Sequence, residues 1–223
     1  IEVRMLFYVI GVVTLIVLLS LYWIGLFTKM NISERTFSGG YFVYFNYQGN
    51  VKSVGTQYEK LMEDLGKFTS KKLTCGTDYQ CLGIYYDSPD NLINPDHMRT
   101  SLGYLLPSKD DLVINHFEKL KYKTKQIPSA KSIYGRFRNR INGISHGLGA
   151  YKFYPASTRY LHSQQKKPDV PQNSANMCAS LELEGSSGFI EYYIPCEYTE
   201  LFYLTEHPVP QLRNPNCGKQ KSQ

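Results

Sequence analysis

One short segment of the sequence matches a known arrangement for nucleophilic catalysis. Residues 143–147 fit the pattern G-x-S-x-G, with Ser145 at its centre, and Asp169 and His207 follow in the chain order of an α/β-hydrolase triad. That serine elbow requires a parallel sheet built from repeated βα units. The strand candidates in this chain are joined through Gly and Pro turns without such a repeat. The sequence therefore predicts no catalytic residue, and a hydrolase is only the weaker alternative.

Metal and cofactor chemistry has no matching residue pattern. The five histidines are scattered along the chain, and Cys75 and Cys81 lack the spacing of zinc ligands. The sequence also contains no Gly-rich loop of the kind that holds phosphate groups. We predict that the protein has neither a metal site nor a cofactor.

The most pronounced feature is an uncharged apolar run over residues 5–27. It is long enough to cross a bilayer, which needs roughly 20 apolar residues of helix. A secretory signal peptide is the rival interpretation, but its apolar region is usually about 7 to 15 residues and ends in small residues. This run ends in aromatic residues, followed by Lys29. The pattern predicts a transmembrane helix at residues 5–27.

Orientation in the membrane has a weaker basis. The positive-inside comparison sets Arg4 against Lys29 and Arg35, which slightly favours a cytosolic bulk domain. Five cysteines without the spacing of a disulfide framework also favour a reducing compartment. Residues 31–33 form a glycosylation sequon, which would be used only on a lumenal side.

The net charge of +6 is unevenly distributed. Residues 131–167 contain basic but no acidic side chains, whereas residues 182–206 contain glutamates but no Lys or Arg. A basic segment with interleaved aromatics is typical of nucleic-acid binding, but on a tethered domain anionic lipids are the nearer partner. Plain solubility is the third reading.

Hydrophobic periodicity predicts an α+β domain beyond the apolar run. The pattern indicates an antiparallel sheet with helices on one face, in two halves that each read strand, helix, strand, strand. A Tyr-Tyr pair in each half, at residues 85–86 and 192–193, suggests an internal duplication. The predicted strands are 41–47, 81–87, 97–106, 122–127, 130–138, 178–184 and 189–195, and the predicted helices are 51–68, 108–120 and 141–162.

Two phrases resemble a known family. Residues 83–106, GIYYDSPDNLINPDHMRTSLGYLL, and residues 191–195, EYYIP, resemble the gyrase-inhibitor-like (GyrI-like) small-molecule-binding domain. Together with a preceding membrane helix, the chain resembles the testis-expressed protein 264 family of endoplasmic reticulum proteins. The resemblance implies a GyrI-like domain over residues 37–203, and the composition of residues 204–223 predicts a short polar tail.

The resemblance also implies a function. Members of that family are single-pass proteins of the endoplasmic reticulum membrane with a cytosolic domain, and they act as selective-autophagy receptors, or ER-phagy receptors. They bind autophagosomal ubiquitin-like proteins through an aromatic-x-x-aliphatic motif in a long acidic tail, and they associate with an AAA ATPase segregase. This chain departs from the pattern, because its tail after His207 contains no aromatic and no acidic residue. We predict an adaptor or receptor rather than an enzyme.

Within the resemblance, the cleft of the GyrI-like domain would be lined by Tyr85, Glu191 and Tyr193. Aromatic faces and one carboxylate suit a flat cationic ligand. The competing interpretation makes Glu191 a solvated strand residue and the tyrosines packing residues of the sheet. The alternative function is therefore a membrane-anchored small-molecule-binding protein, or a hydrolase, that uses this cleft.

A partner motif is predicted at Tyr198 and Leu201. This aromatic-x-x-aliphatic segment lies past the last family strand and next to Glu197. Such a ligand adds a strand to its partner's sheet edge, so it must be extended and exposed. The aromatic alternation through Phe202 and Tyr203 instead suggests a final strand packed on the sheet.

Overall fold

The computed structural model describes residues 2–88, 91–165, 179–185 and 187–210. In these ranges the α-helices are α1 (Glu2–Trp23), α2 (Val54–Gly66), α3 (Asp111–Lys119) and α4 (Asn142–Gln165). The strands are β1 (Ser33–Phe37), β2 (Gly40–Gly49), β3 (Gln80–Tyr85), β4 (Met98–Leu106), β5 (Lys123–Ile127), β6 (Ala130–Arg138), β7 (Ser180–Glu184) and β8 (Phe189–Pro195). One-turn 3₁₀ helices lie at Val51–Ser53, Pro95–His97 and Thr199–Phe202.

The described strands form one antiparallel sheet in the order β1-β6-β8-β7-β3-β4-β2-β5. The first half, β2-α2-β3-β4, and the second half, β6-α4-β7-β8, are arranged symmetrically about the pair of central strands β3 and β7. The predicted fold class, α+β with a duplicated strand-helix-strand-strand and an N-terminal apolar helix, is confirmed. It is also the architecture that the resemblance to the GyrI-like domain implied.

Two details of the sequence-based prediction are corrected. The Tyr-Tyr pairs are not markers of the duplication, because Tyr85 ends the second strand of one half, with Tyr86 directly after it, whereas residues 192–193 lie in the third strand of the other. The edge strand β1, of sequence SERTF, was not predicted. It pairs with β6, and its first four residues are exposed.

The sheet curls because short connections join its two edges. Residues 38–39 alone connect β1 to β2, and residues 128–129 alone connect β5 to β6, although one strand of each pair is an edge strand and the other lies next to the opposite edge. A connection of this length spans only about 10 Å. The edges must therefore meet at one corner. Gly39, with a φ of +70°, packs there so closely against the Ile127 carbonyl that a Cβ atom would lie 2.5 Å from that oxygen.

Apolar side chains cover both faces of the curled sheet. Helices α2, α3 and α4 pack on one face, where one cluster centred on Leu61, Tyr104 and Phe117 belongs to the first half and another, around Phe153 and Tyr192, to the second. We call this the helix face. The opposite face carries a single cluster that includes Phe42, Leu82, Leu183 and Phe202. The strand alternation thus assigns every strand side chain to one face or the other.

Helix α1 stands apart from this packing. Its stretch Arg4–Trp23 is long and apolar enough to cross a membrane by length and composition, and none of that stretch is buried against the rest of the chain. The segment that follows docks on the second half of the domain. Lys152 in α4 donates hydrogen bonds to the carbonyl oxygens of Leu26 and Thr28, at 2.6 and 2.9 Å.

A buried ion pair fastens the C-terminal segment to the sheet. Asp87 and Arg99 expose 4% and 2% of their side chains, and Arg99 Nη2 donates to Asp87 Oδ1 at 2.7 Å while its Nε donates to Oδ2 at 2.8 Å. The same guanidinium lies over the Tyr203 ring, 5.3 Å from its centre, and donates to the His207 carbonyl at 3.4 Å. Tyr86 adds a hydroxyl that accepts from Leu204 N at 3.1 Å. Residues 203–207, where the predicted polar tail begins, are therefore held against β4, whereas residues 211–223 lie outside the described residues.

Removing one charge of this pair should destabilise the whole fold. We expect Asp87→Asn to lower the free energy of unfolding by about 3–5 kcal/mol, because it leaves the Arg99 guanidinium buried and uncompensated. The same substitution in an exposed pair, Asp111→Asn beside Lys109, should change little. Urea unfolding followed by circular dichroism measures both; an equal loss in the two variants would show that burial of the Asp87–Arg99 pair has no special weight.

Candidate functional site

The two halves of the domain meet on the helix face between α2 and α4. Strands β3 and β7 pair there, with Gly83 opposite Glu182 and Tyr85 opposite Ser180. Because side chains alternate along a strand, Glu182 and Glu184 point to the helix face, whereas Leu181 and Leu183 join the apolar cluster of the opposite face. We call the space between α2, α4 and these two strands the cleft.

Four tyrosines surround the Glu182 carboxylate in the cleft, one from each of four elements. They are Tyr58 of α2, Tyr85 of β3, Tyr154 of α4 and Tyr192 of β8. The Tyr154 hydroxyl lies 3.5 Å from Glu182 Oε1 and shares a 2.8 Å hydrogen bond with the Ser180 hydroxyl. Burial, and after it the negative charge of Glu182, raises the pKa of Tyr85, Tyr154 and Tyr192. Burial also raises the pKa of Tyr58 well above its ordinary value, with smaller contributions from Cys81 and Glu182. All four rings therefore remain neutral hydroxyl donors at physiological pH.

Two glycines allow the tyrosines to lie this deep. A Cβ atom at Gly83 would lie 2.8 Å from the Tyr58 hydroxyl oxygen and 3.0 Å from Cε2 of Tyr85. Across the cleft, the Tyr192 hydroxyl occupies the place that a side chain at Gly149 would need, and it donates to the His146 carbonyl at 3.2 Å. The small residues thus make room for aromatic side chains at the boundary between the halves.

A histidine in the first turns of α4 bridges the two carboxylates of β7. His146 Nδ1 lies 3.6 Å from Glu182 Oε2, and its Nε2 lies 3.2 Å from Glu184 Oε2. Burial alone would lower the pKa of His146, but hydrogen bonds and charge from both glutamates outweigh it and raise the pKa to about 9. The His146 contact, opposed by burial and assisted by a hydrogen bond from Asn139, lowers the pKa of Glu184. The imidazole is therefore charged at neutral pH.

The cleft consequently carries two carboxylates and one imidazolium, which gives it one net negative charge. Glu182 exposes only 10% of its side chain, so its charge is poorly screened by water. Aromatic faces with a nearby carboxylate attract cations through both the ring quadrupole and the ion's charge. The arrangement suits a cation with apolar surface better than an anion or a sugar.

The structure does not bring the three predicted cleft residues together. Tyr85 lies in the cleft, but Glu191 and Tyr193 alternate with Ile190, Tyr192 and Ile194 and so face the opposite side of the sheet. There Glu191 accepts hydrogen bonds from the hydroxyls of Tyr134 and Tyr193, at 3.0 and 2.8 Å. It also pairs with Arg35 of β1 at 3.3 Å. The expectation of a shared cleft fails because one residue of shift along β8 changes the face.

Sequence reasoning missed the carboxylate at the centre of the cleft. The signal was present in β7, whose sequence SLELE places two acids on one face and two leucines on the other. Such a strand at a sheet edge would simply expose its glutamates. In the middle of an eight-stranded sheet, between β3 and β8, it must bury them partly. The missing information was the position of the strand in the sheet.

The predicted partner motif is exposed but not extended. Tyr198 and Leu201 expose 56% and 43% of their surface, so the interpretation as a packed final strand is not met. Tyr198 has a φ of +53° and precedes the 3₁₀ helix Thr199–Phe202, and Phe202 is fully buried. Docking as an added strand would require this turn to open.

The serine of the G-x-S-x-G segment has a structural role. Ser145 is 1% exposed in the first turn of α4, and its hydroxyl accepts hydrogen bonds from Arg140 N and Ile141 N, both at 3.0 Å. It therefore satisfies backbone donors at the beginning of the helix. His207 contacts Arg99 through its carbonyl instead, and Asp169 lies outside the described residues. No group of three His, Cys, Asp or Glu side chains that could hold a metal ion occurs in the described part of the chain.

Comparisons with known proteins give structural similarities at low sequence identity. No protein-family model matches the sequence, and no curated protein matches it. The fold is similar to the EcmrR C-terminal domain, with a TM-score of 0.48, 9% identity and coverage of 74% of this chain and 96% of that one. SAV2435, solved bound to tetraphenylphosphonium, gives a TM-score of 0.44 at 12% identity, over 74% of this chain and 93% of that one. A putative bacterial transcription regulation protein from Staphylococcus aureus MU50 gives 0.40 at 12% identity, over 74% and 97%. At this level the similarities assign neither an activity nor a ligand.

The bridging histidine should make stability depend on alkaline pH. An unfolded histidine loses its proton near pH 6.5, whereas His146 keeps it to about pH 9. Its stabilisation, at most about 3 kcal/mol, is therefore complete below pH 6.5 and is lost as the pH rises through 9. We expect His146→Gln to lower the unfolding free energy at pH 7 and to flatten this loss, whereas His97→Gln, at an exposed histidine, should leave the profile unchanged. Denaturant titrations from pH 6 to pH 10 measure it; an identical slope in His146→Gln would exclude the bridge as its cause.

Proposed function

We propose that the protein binds an apolar organic cation in the cleft. The observation that carries this proposal is the Glu182 carboxylate, 10% exposed and surrounded by four tyrosines at the boundary of the two halves. A buried carboxylate is costly unless it is paired. His146 compensates one of the two charges of β7, and the second is left for a ligand.

The tyrosines occupy the cleft in this structure, so binding requires some of them to move. Tyr58 and Tyr154 belong to the two helices, and Tyr85 and Tyr192 to the sheet. An apolar cation would replace tyrosine contacts with its own aromatic or alkyl surface, and its charge would lie within reach of Glu182. The gain in charge pairing and cation–π attraction favours the form in which the tyrosines have moved aside over the form in which they fill the cleft. Such a role is that of a binding protein, and it needs no catalytic residue.

We propose further that α1 anchors this domain to a membrane. The resemblance suggests that this membrane is that of the endoplasmic reticulum and that the domain lies in the cytosol. The support is physical: the stretch Arg4–Trp23 has the length and composition of a span, and none of it is buried inside the protein. An isolated apolar helix of this kind is stable in a bilayer, where its backbone is internally hydrogen-bonded and its side chains match the lipid. A signal sequence passes the same length test, and protease protection in microsomes separates the two.

A pair of ions of the same shape tests the cleft. The full chain in detergent micelles should bind tetraphenylphosphonium but not tetraphenylborate, because the two ions share size and surface and differ in the sign of the charge. We expect Glu182→Gln to weaken binding of the cation by about 2 kcal/mol, roughly thirtyfold, since it removes the buried charge partner. Isothermal calorimetry measures the affinities.

The matched control is Glu191→Gln, which removes a carboxylate from the other face of the same sheet. It should bind the cation as the unchanged protein does. The micelles take up both ions, but to the same extent for every variant. Differences in affinity between variants therefore arise from binding to the protein. A larger effect of Glu191→Gln than of Glu182→Gln would place the ligand on the opposite face and refute the cleft proposal.

The second candidate function is the adaptor role that the resemblance implies. One observation favours it, namely the exposure of both Tyr198 and Leu201 on one short turn. In this role an autophagosomal ubiquitin-like protein would bind the two side chains after the turn opens into a strand. Association with an AAA ATPase segregase rests on the resemblance alone and stays a prediction.

A double substitution tests the adaptor role. Tyr198→Ala with Leu201→Ala should abolish binding to a purified ubiquitin-like autophagy protein and reduce autophagic turnover of the endoplasmic reticulum. Thr199→Ala with Glu200→Ala, between the two anchors, is the control and should retain binding. Because Tyr198 and Leu201 are exposed, the double variant is expected to fold normally. Unchanged binding and turnover would remove this candidate and leave the cleft.

A further inference from the structure

A second surface, separate from the cleft, lies where α1 meets the domain. A depression of about 300 Å³ separates the segment that leaves α1 from strands β6 and β8. Cationic side chains line it, namely Lys29, Arg136, Arg138 and Arg140, together with Phe189. We call these five residues the exit surface.

Aromatic rings hold three of the cations in place. The guanidinium carbons of Arg136 and Arg138 lie 4.8 and 5.8 Å from the centre of the Phe189 ring. Arg140 lies over the ring of Trp23, at 5.1 Å, and donates a hydrogen bond to the Trp23 carbonyl. Trp23 is the last residue of α1. The exit surface is therefore fixed directly at the end of the apolar helix.

The charges of the exit surface are not neutralised by carboxylates in the described part of the chain. None of its four cations takes part in the ion pairs found there, and no acidic residue lines the depression. Glu191, which lies opposite Arg136 in the pairing of β6 with β8, is instead bound to Arg35, Tyr134 and Tyr193. These four positive charges, which belong to no ion pair of the described residues, are available to an anion.

The position of the surface decides which anion. A tryptophan at the end of a spanning helix lies at the level of the lipid headgroups, and a side chain stacked on it lies there too. We propose that the exit surface binds the phosphate groups of anionic phospholipids in the membrane that α1 spans. This inference rests on the proposed membrane anchor, but not on the proposed ligand of the cleft. Lipid phosphates between Lys29 and the three arginines would hold the domain against the bilayer by its β6 side.

Hydrogen exchange of the full chain in nanodiscs tests the inference. The chain is placed in nanodiscs of phosphatidylcholine alone and in nanodiscs that also contain phosphatidylserine. We expect amide exchange in residues 136–141 and 187–190 to slow by about fivefold or more when phosphatidylserine is present, the effect of one basic residue at an anionic surface. Added salt should remove the protection.

Charge-matched variants identify the side chains. Arg136→Gln with Arg138→Gln should lose the protection, because it removes two of the four positive charges. Both residues are exposed, so their replacement leaves the core intact. Lys119→Gln with Lys125→Gln removes the same charge from α3 and from β5, at the other edge of the sheet, and should keep it. Near-ultraviolet circular dichroism checks that both variants fold.

The outcomes separate this inference from the anchor on which it rests. A chain that does not incorporate into neutral nanodiscs refutes the anchor and the lipid site together. A chain that incorporates but shows no dependence on phosphatidylserine refutes the lipid site alone. Protection in neutral nanodiscs by single-stranded RNA or by inorganic phosphate, without an effect of phosphatidylserine, would also overturn it, because the surface would then select a soluble anion. Protection by phosphatidylserine that only the Arg136 and Arg138 variant loses supports the proposal.

Discussion

The pairing of β3 with β7 is the constraint on which the domain depends. In the described sheet, the hydrogen bonds between these two strands are the only direct strand pairing between the two halves. The register of the pairing sets Gly83 opposite Glu182. A shift by one residue would turn Glu182 and Glu184 into the apolar cluster of the opposite face and Leu181 and Leu183 into the cleft. The two leucines on one face, and the histidine that meets the two glutamates on the other, both oppose such a shift. The register therefore fixes the fold and the cleft at once.

Neutral tyrosines and charged groups stabilise one another in the cleft. The carboxylate of Glu182 would be costly at 10% exposure without donors. His146 supplies a charge, and the Tyr154 hydroxyl lies within 3.5 Å. Replacing these groups by apolar residues of similar size would be a simpler way to stabilise the boundary between the halves. The polar arrangement that is found, with one net negative charge, is what a cation-binding site requires and what a purely structural boundary does not.

The sequence specified the elements much better than the faces. Alternating and helical apolar patterns predicted the domain helices α2 to α4 and the strands β2 to β8, because each pattern is local and has a definite period. It did not predict β1, whose residues Ser33 to Thr36 are polar and exposed and whose strand conformation depends on the free edge of β6. The same limit explains the choice of Glu191 over Glu182. The resemblance points to Glu191 in residues 191–195, and only the position of β7 between β3 and β8 shows that Glu182 lies under the helices instead.

Helix α4 connects the two surfaces for which ligands are proposed. Its Lys152 binds the carbonyl oxygens of Leu26 and Thr28, just beyond α1, while Tyr154, two residues later, points into the cleft beside Glu182. Positions two residues apart lie on different sides of a helix, so α4 contacts the segment that follows α1 on one side and the cleft on the other. A movement of α4 that admits a ligand must either carry the segment after α1 with it or break the two hydrogen bonds of Lys152. Opening of the cleft by α4 is therefore coupled to the position of the domain relative to α1. Helix α2, which supplies Tyr58, has no such contact with the segment after α1 among the described residues.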